Sequence, residues 1–279
     1  MRRKLPLTHI ALFAATFLTT LGAGALHQGV DPLSEPGRIL EGLPFSFTLM
    51  LILLSHELSH YIASRAHHTH ATLPYFIPAP SIIGTFGAFI KMKSPIITRK
   101  ALIDIGASGP IVGFVISVAA CVVGLSQSQV VSVTGQEQYA LSLGDSLLFL
   151  GLSKLLLNVP PEGHDVLLHP VAFAGWIGLF VTSLNLLPIG QLDGGHISYA
   201  FLGEVHRKVS TGLVFVLAVM GLFWAGWTLW ALLMVILGLG HPPVQRWEVP
   251  LDGRRKLIGG LSLVVFVITF TPRPFTLWG

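Results

Sequence analysis

Charge is what this sequence has least of. Asp, Glu, Lys and Arg make up 11% of its 279 residues, against roughly 25% in an average soluble domain, too few to cover a water-soluble globule of this length. Acid is the scarcer sign, 13 residues against 17 basic ones, which leaves a formal net charge of +4. Gathered on one face, that surplus would suit nucleic acid. It falls instead in the short segments between apolar runs, a placement that reads as membrane topology and excludes a nucleic-acid partner. The single cysteine, Cys121, allows no internal disulfide, and inside an apolar run it reads as a small core residue. Amphipathic stripes are missing too. The hydrophobic residues, 52% of the chain, are gathered in long runs, the pattern of segments that live in a bilayer.

Runs of spanning or near-spanning length cover about 8–26, 44–64, 102–125 and 171–189. A run over about 211–239 would make a helix of roughly 42 Å, longer than a hydrocarbon core of about 30 Å. It is either one overlong helix or a hairpin turning near Trp224, Ala225 and Gly226. A last run covers about 257–271, and a weaker one near 139–157, containing Asp145 and Lys154, suits a re-entrant or interfacial segment. Basic residues cluster at Arg2, Arg3 and Lys4, at Arg65 with Lys91, Lys93, Arg99 and Lys100, at Arg207 with Lys208, and at Arg246 with Arg254, Arg255 and Lys256. Placing all four clusters on the cytoplasmic side requires the 211–239 run to cross twice, which favours the hairpin. The segments 27–43 and 126–170, holding Asp31, Glu35, Glu41, Glu137, Glu162 and Asp165, then lie outside. Arg2 to Lys4 ahead of an apolar stretch ending Ala23-Gly24-Ala25 also fits a signal peptide, but the stretch is long enough to cross and is read as an uncleaved first span. The expected fold is an all-α polytopic membrane protein of about six to seven transmembrane helices. It forms one domain over 1–279, with a core at about 44–200 and C-terminal helices at about 211–271.

Within the second run sits Ser55-His56-Glu57-Leu58-Ser59-His60. Positions i and i+4 of a helix share a face, so His56 and His60 can direct imidazole nitrogens at one ion while Glu57, one step round, reaches its bound water. The three could instead pair with one another or with headgroups. Ionisable residues in an apolar span are costly, however, and this spacing meets a known ligand geometry, which favours a metal. Catalytic zinc takes three protein ligands and leaves a fourth position for water. The fourth run ends Asn185-Leu186-Leu187-Pro188-Ile189-Gly190-Gln191-Leu192-Asp193-Gly194-Gly195-His196. Pro188 removes a donor and clashes with the preceding turn, and Gly190, Gly194 and Gly195 free the backbone, so the helix should unwind there. Unwound backbone at membrane depth lines a cavity or is buried in protein. Asp193 can then approach the histidines as third ligand. An Asx turn is its alternative use, but the inner ends of the second and fourth runs reach one depth, which favours ligation. Glu204, the other nearby carboxylate, lacks the unwound context.

His-Glu-x-x-His in one span with Asn-x-x-Pro-x-x-x-x-Asp-Gly in a later one resembles the site-2 protease family of intramembrane zinc metalloproteases, peptidase family M50. Leu73 to Phe76, Gly84-Thr85-Phe86-Gly87-Ala88-Phe89, and Asp104 to Gly113 with Gly109-Pro110 are similar to bacterial and chloroplast members without appended soluble domains. The resemblance covers roughly residues 44–200 and departs at Gly190, where many members carry a second proline. It implies one zinc ion per chain held by His56, His60 and Asp193, with Asn185 near the scissile carbonyl. It also implies a membrane-spanning or membrane-adjacent protein substrate, cut in regulated intramembrane proteolysis. In that chemistry Glu57 is the general base of a zinc-activated water and later protonates the leaving amine, while the Asn185 amide helps hold the oxyanion. Helix packing is the alternative for Asn185. The expected location is multi-pass in a bacterial inner (plasma) membrane, active site toward the cytoplasm, the bilayer itself being the other partner. A zinc-dependent transporter or metal sensor is the competing function, but the donors are concentrated at one level and Glu57 would have no task in a carrier.

Other residues carry less. Gly84 to Phe89, followed by Lys91 and Lys93, reads as a short β-hairpin or re-entrant segment near 74–94, a plain connection or, as the resemblance implies, an edge that pairs with an unwound substrate. Asp104 reads as a helix-start carboxylate, with orientation of a ligand histidine as the alternative. Gly109 and Gly113 read as packing glycines, and His67, His68 and His70 as solvated. His196 either binds substrate or caps the Asp193 turn.

Overall fold

A computed structural model describes residues 6–132, 141–157 and 164–277. Among the described residues three helical segments are long and apolar enough to cross a membrane. They are α1 (Leu7–His27), α2 (Leu43–Ala66) with the 3-10 turn Pro36–Gly42 leading into it, and α3 (Arg99–Leu125). The run expected at 171–189 is a shorter helix, α5 (Pro170–Asn185), which Pro188 and the left-handed Gly190 (φ 54°) prevent from continuing.

Helix α3 is the hub, packing against α2 and α5 and against the later helices α6 (Asp193–Leu202) and α9 (Gly253–Thr269). Apolar side chains gain little by leaving lipid for protein, so close backbone approach has to hold such helices together. The α3–α5 seam is built for it. A Cβ on Gly175 would lie 2.8 Å from Cys121 Sγ, and one on Gly178 would overlap the Ser117 hydroxyl. Cys121 is fully buried there as a small core residue.

Between α2 and α3 the chain forms the expected hairpin, β1 (Tyr75–Pro78) antiparallel to β2 (Thr85–Phe89), pairing Tyr75 with Phe89 and Phe76 with Ala88. Helix α1 fastens it at three heights. His9 Nδ1 lies 3.0 Å from the Pro74 carbonyl, the Thr19 hydroxyl donates to the Gly84 carbonyl at 2.6 Å, and His27 Nε2 lies 2.7 Å from the Ile82 carbonyl. Gly84 needs its positive φ (81°) for the turn, and a Cβ there would strike the α1 backbone at Thr19 and Thr20.

The 211–239 run is two helices, α7 (Val205–Met220) and α8 (Ala225–Leu237), packed against each other around a break at residues 221–224. The pair goes out and returns, since His241, just past α8, stacks on Tyr199, just before α7, at 4.2 Å. Beyond it the chain comes back to the start of α3: the Arg246 amide donates to the Ile97 carbonyl at 2.9 Å and Lys100 Nζ is 3.4 Å from Asp252. The second and fourth basic clusters thus meet at one end of the bundle. Arg2, Arg3 and Lys4, and with them Glu137 and Glu162, lie outside the described residues.

The all-α expectation needs one correction. Besides the hairpin the described residues form two further two-stranded ribbons, β3 (Gln129–Ser132) with β5 (His164–Leu167) and β4 (Leu141–Leu143) with β6 (Phe275–Leu277). Strands of three or four residues are too short for a period of two to show in sequence. Helix α4 (Leu147–Leu156), in the weaker apolar run, is about 15 Å long and cannot span.

Candidate metal centre

His56 and His60 lie one turn apart on α2, both buried, with their Nε2 atoms 3.1 Å apart and each 3.3 Å from Asp193 Oδ2. A tetrahedral zinc ion with bonds of about 2.0–2.1 Å needs donors roughly 3.3–3.4 Å apart. The triangle is therefore already the right size. His60 Nδ1 lies 2.7 Å from the Ile105 carbonyl, which can only accept, so in the neutral ring Nδ1 carries the proton and Nε2 a lone pair. The His60 Nε2 lone pair then faces the Asp193 carboxylate oxygen at 3.3 Å, an arrangement that a cation between them relieves. Among the described residues no other group of three His, Cys, Asp or Glu donors converges in this way. Glu204 stands apart, its carboxylate 3.4 Å from the Tyr199 hydroxyl.

The local sequence explains how the three meet. Asn185 ends α5, residues 186–192 are unwound, and Asp193 opens α6. Asp193 does not cap that helix, whose N-cap is Leu192 with no side-chain hydrogen bond, so the Asx-turn alternative is not what the structure uses. The unwound loop is clamped by α7: His206 Nε2 lies 3.1 Å from the Gly190 carbonyl, and the Gly190 amide donates to Ser210 Oγ at 3.2 Å. Gly190 adopts φ 54°, which a proline fixed near −65° cannot do, and this accounts for the missing second proline. Gly194 and Gly195 do not unwind the chain as expected. They form the first turn of α6, where any Cβ would collide with loop carbonyls, of Leu186 for one and Gly190 for the other.

The glycines of α3 do more than pack helices. A Cβ on Gly109 would overlap the His60 imidazole, and one on Gly113 would stand 3.0 Å from His56 Nδ1. On Gly106 it would stand 3.0 Å from the Asp193 carbonyl. Together they form a groove that receives the residues of the triangle.

Glu57 is buried beside the triangle. It shares a cavity of about 200 Å³ with His56, His60, Asn185, Asp193 and His196, walled on the hairpin side by Ala88 to Ile90 and Met92. Asn185 Nδ2 is 3.3 Å from His56 Nε2. His196 lines the cavity and pairs through Nδ1 with His241 Nε2 at 2.7 Å. Asp104 neither starts the helix nor orients a histidine of the triangle. Thr98 caps α3, and Asp104 receives Arg255 of α9 (2.5 Å) and His67 at the end of α2 (2.8 Å). His67 is thus tied to a carboxylate rather than free in solvent. Sequence reasoning missed His206, Ser210 and His241. The first two, four apart at the head of an apolar run, carry the signal of polar groups in a span. His241, in an irregular loop, carries none.

A family model described as Peptidase family M50 matches residues 44–225. The chain is 30% identical over 246 residues to "Probable zinc metalloprotease EGY2, chloroplastic" of Arabidopsis thaliana, covering 86% of this chain and 43% of that protein. It is 32% identical over 237 residues to "Probable zinc metalloprotease EGY1, chloroplastic" of the same plant, covering 82% and 43%. The chain thus spans less than half the length of these curated relatives. No solved structure matches it.

Proposed function

The chain belongs to peptidase family M50, and from that premise we propose that it is a zinc metallopeptidase that cuts peptide bonds in or beside transmembrane segments of membrane proteins. The observation that carries the reading is the zinc-sized triangle of His56, His60 and Asp193 with Glu57 in the same cavity. Zinc, when bound, supplies a Lewis acid that acidifies a water molecule and polarises a carbonyl. The protein does the rest. Glu57 takes the proton that the water gives up and delivers it to the leaving amine. The Asn185 amide, 3.3 Å from His56 Nε2, donates to the carbonyl oxygen as charge builds there. Ile105 fixes the His60 ring through its backbone carbonyl.

A peptide bond inside a helix is shielded, so the substrate has to be extended where it is cut. Strand β2 pairs with β1 along one edge, while Ala88 and Phe89 near its end face the cavity. An extended substrate segment adding to its other edge would be held by main-chain hydrogen bonds across from Glu57.

The membrane arrangement follows the charge. Six to seven crossings, with the α7–α8 pair crossing twice, put Arg65, Lys91, Lys100, Arg207 and Arg255 on one side, which the positive-inside rule makes the cytoplasmic side of a bacterial inner membrane or its organellar equivalent. The site opens toward that side. A transporter is disfavoured because the donors converge on one point. The test is zinc per chain in detergent-purified protein together with cleavage in proteoliposomes. One zinc in wild type and in Glu57→Gln, with cleavage only in wild type, is expected; absence of zinc from the wild type would end the reading.

A further inference from the structure

His196 stands one helical turn beyond Asp193 on α6 and lines the same cavity, yet it is not among the three converging donors. Its hydrogen bonds fix which nitrogen carries the proton. His241 Nδ1 lies 2.7 Å from the Pro242 carbonyl, and a carbonyl only accepts, so this nitrogen is protonated. Burial holds the His241 imidazole below its ordinary pKa, which keeps the ring neutral and leaves Nε2 a lone pair. That lone pair is 2.7 Å from His196 Nδ1, which must donate to it. The second nitrogen of a neutral His196 is then an acceptor. Nothing among the described residues bonds to it, and it is not a sealed orphan, because the only buried side-chain polar atom without a partner among the described residues is Thr16 Oγ1. As His196 lines the cavity and its Nδ1 is engaged, Nε2 is the polar atom it has left to offer there.

We infer that His196 Nε2 binds substrate, accepting a hydrogen bond from a backbone N–H of the peptide next to the scissile bond, and that His241 is a positioning residue holding His196 in the accepting tautomer. This rests on the zinc peptidase reading. A peptide entering the cavity sheds the water on its N–H groups, and an N–H left unpaired there is costly. Asp193 is committed to the metal and Glu57 to the water proton. His196 offers a neutral acceptor whose direction two further hydrogen bonds have already set, so little is lost in ordering it.

Binding to the zinc-loaded protein in detergent, with no turnover required, tests the inference. The probes are acetohydroxamate, which reaches only the metal, a peptide hydroxamate, and the same peptide N-methylated at the amide nearest the hydroxamate. His196→Ala and His196→Phe are expected to bind the peptide hydroxamate about fivefold more weakly, the size of one neutral hydrogen bond. Both should keep wild-type zinc content and wild-type affinity for acetohydroxamate. N-methylation should cost the wild type a similar factor and the variants nothing. His241→Phe, which keeps the stack on Tyr199 but removes the acceptor for His196 Nδ1, should reproduce part of the loss. An equal N-methylation penalty in wild type and His196→Ala would overturn the inference. A wild type that binds neither zinc nor acetohydroxamate would overturn the metallopeptidase reading itself.

Discussion

Replacing Gly109 by alanine adds one methyl group to α3, far from Glu57 in sequence, and should nevertheless empty the metal centre. The new Cβ would overlap His60 at Nε2, the atom that faces Asp193, whereas ordinary contact begins near 3.4 Å. The ring must therefore retreat by more than about 1 Å, and metal–donor distances tolerate only about 0.2 Å. Loss of one of three ligands should weaken zinc binding by at least about 100-fold, or about 2.7 kcal/mol. Gly113→Ala is the internal control. Its Cβ would stand 3.0 Å from His56 Nδ1, so a shift of a few tenths of an ångström suffices and the loss should stay below about tenfold. Alanine is also the better helix former by about 0.8–1 kcal/mol, which opposes any general damage to α3. Zinc competition against a chelator, run on detergent-purified wild type and both variants, reads the difference directly. Wild-type zinc affinity in Gly109→Ala, or greater damage from Gly113→Ala, would refute the groove as a receptor for the ligands.

Glu57→Gln should lower proteoliposome cleavage by about 10²–10⁴-fold with zinc retained; cleavage within tenfold of wild type would remove Glu57 from its role. Asp193→Ala should lose zinc while Glu204→Ala keeps it, and the reverse would move the third ligand to the start of α7. Cysteines placed at Lys91 and Arg255 should label from the same side of the membrane, because Arg255 pairs with Asp104 in the second turn of α3; labelling from opposite sides would break the α7–α8 return.

The triangle was legible because its parts are local and conspicuous. His56, Glu57 and His60 are ionisable groups in an apolar run at metal spacing, and Asn185 to Asp193 carries its own helix breaker. The groove was not, since Gly106, Gly109 and Gly113 have the spacing of ordinary packing glycines, and only the neighbouring helix reveals what fills them. The same holds for Asp104, whose partners Arg255 and His67 lie 151 and 37 residues away. The break at 221–224 was legible from length, since one helix over 211–239 would overrun the bilayer. The short ribbons and the clamp by His206 depend on contacts between segments whose sequences say nothing about each other.

Three side chains of α1, His9, Thr19 and His27, carry the hairpin that walls the cavity, while Ile10, Leu18 and Leu26 on the same helix are more than half exposed where lipid would lie. One helix thus has an exposed apolar flank on one side and the wall of the cavity on the other. Thinning or thickening a bilayer changes helix tilt, and a tilt of α1 would carry β2 toward or away from α2. On this view the membrane is a caliper as well as a solvent. Cleavage compared across vesicles of graded acyl-chain length should pass through an optimum, and a flat response would uncouple α1 from the width of the site.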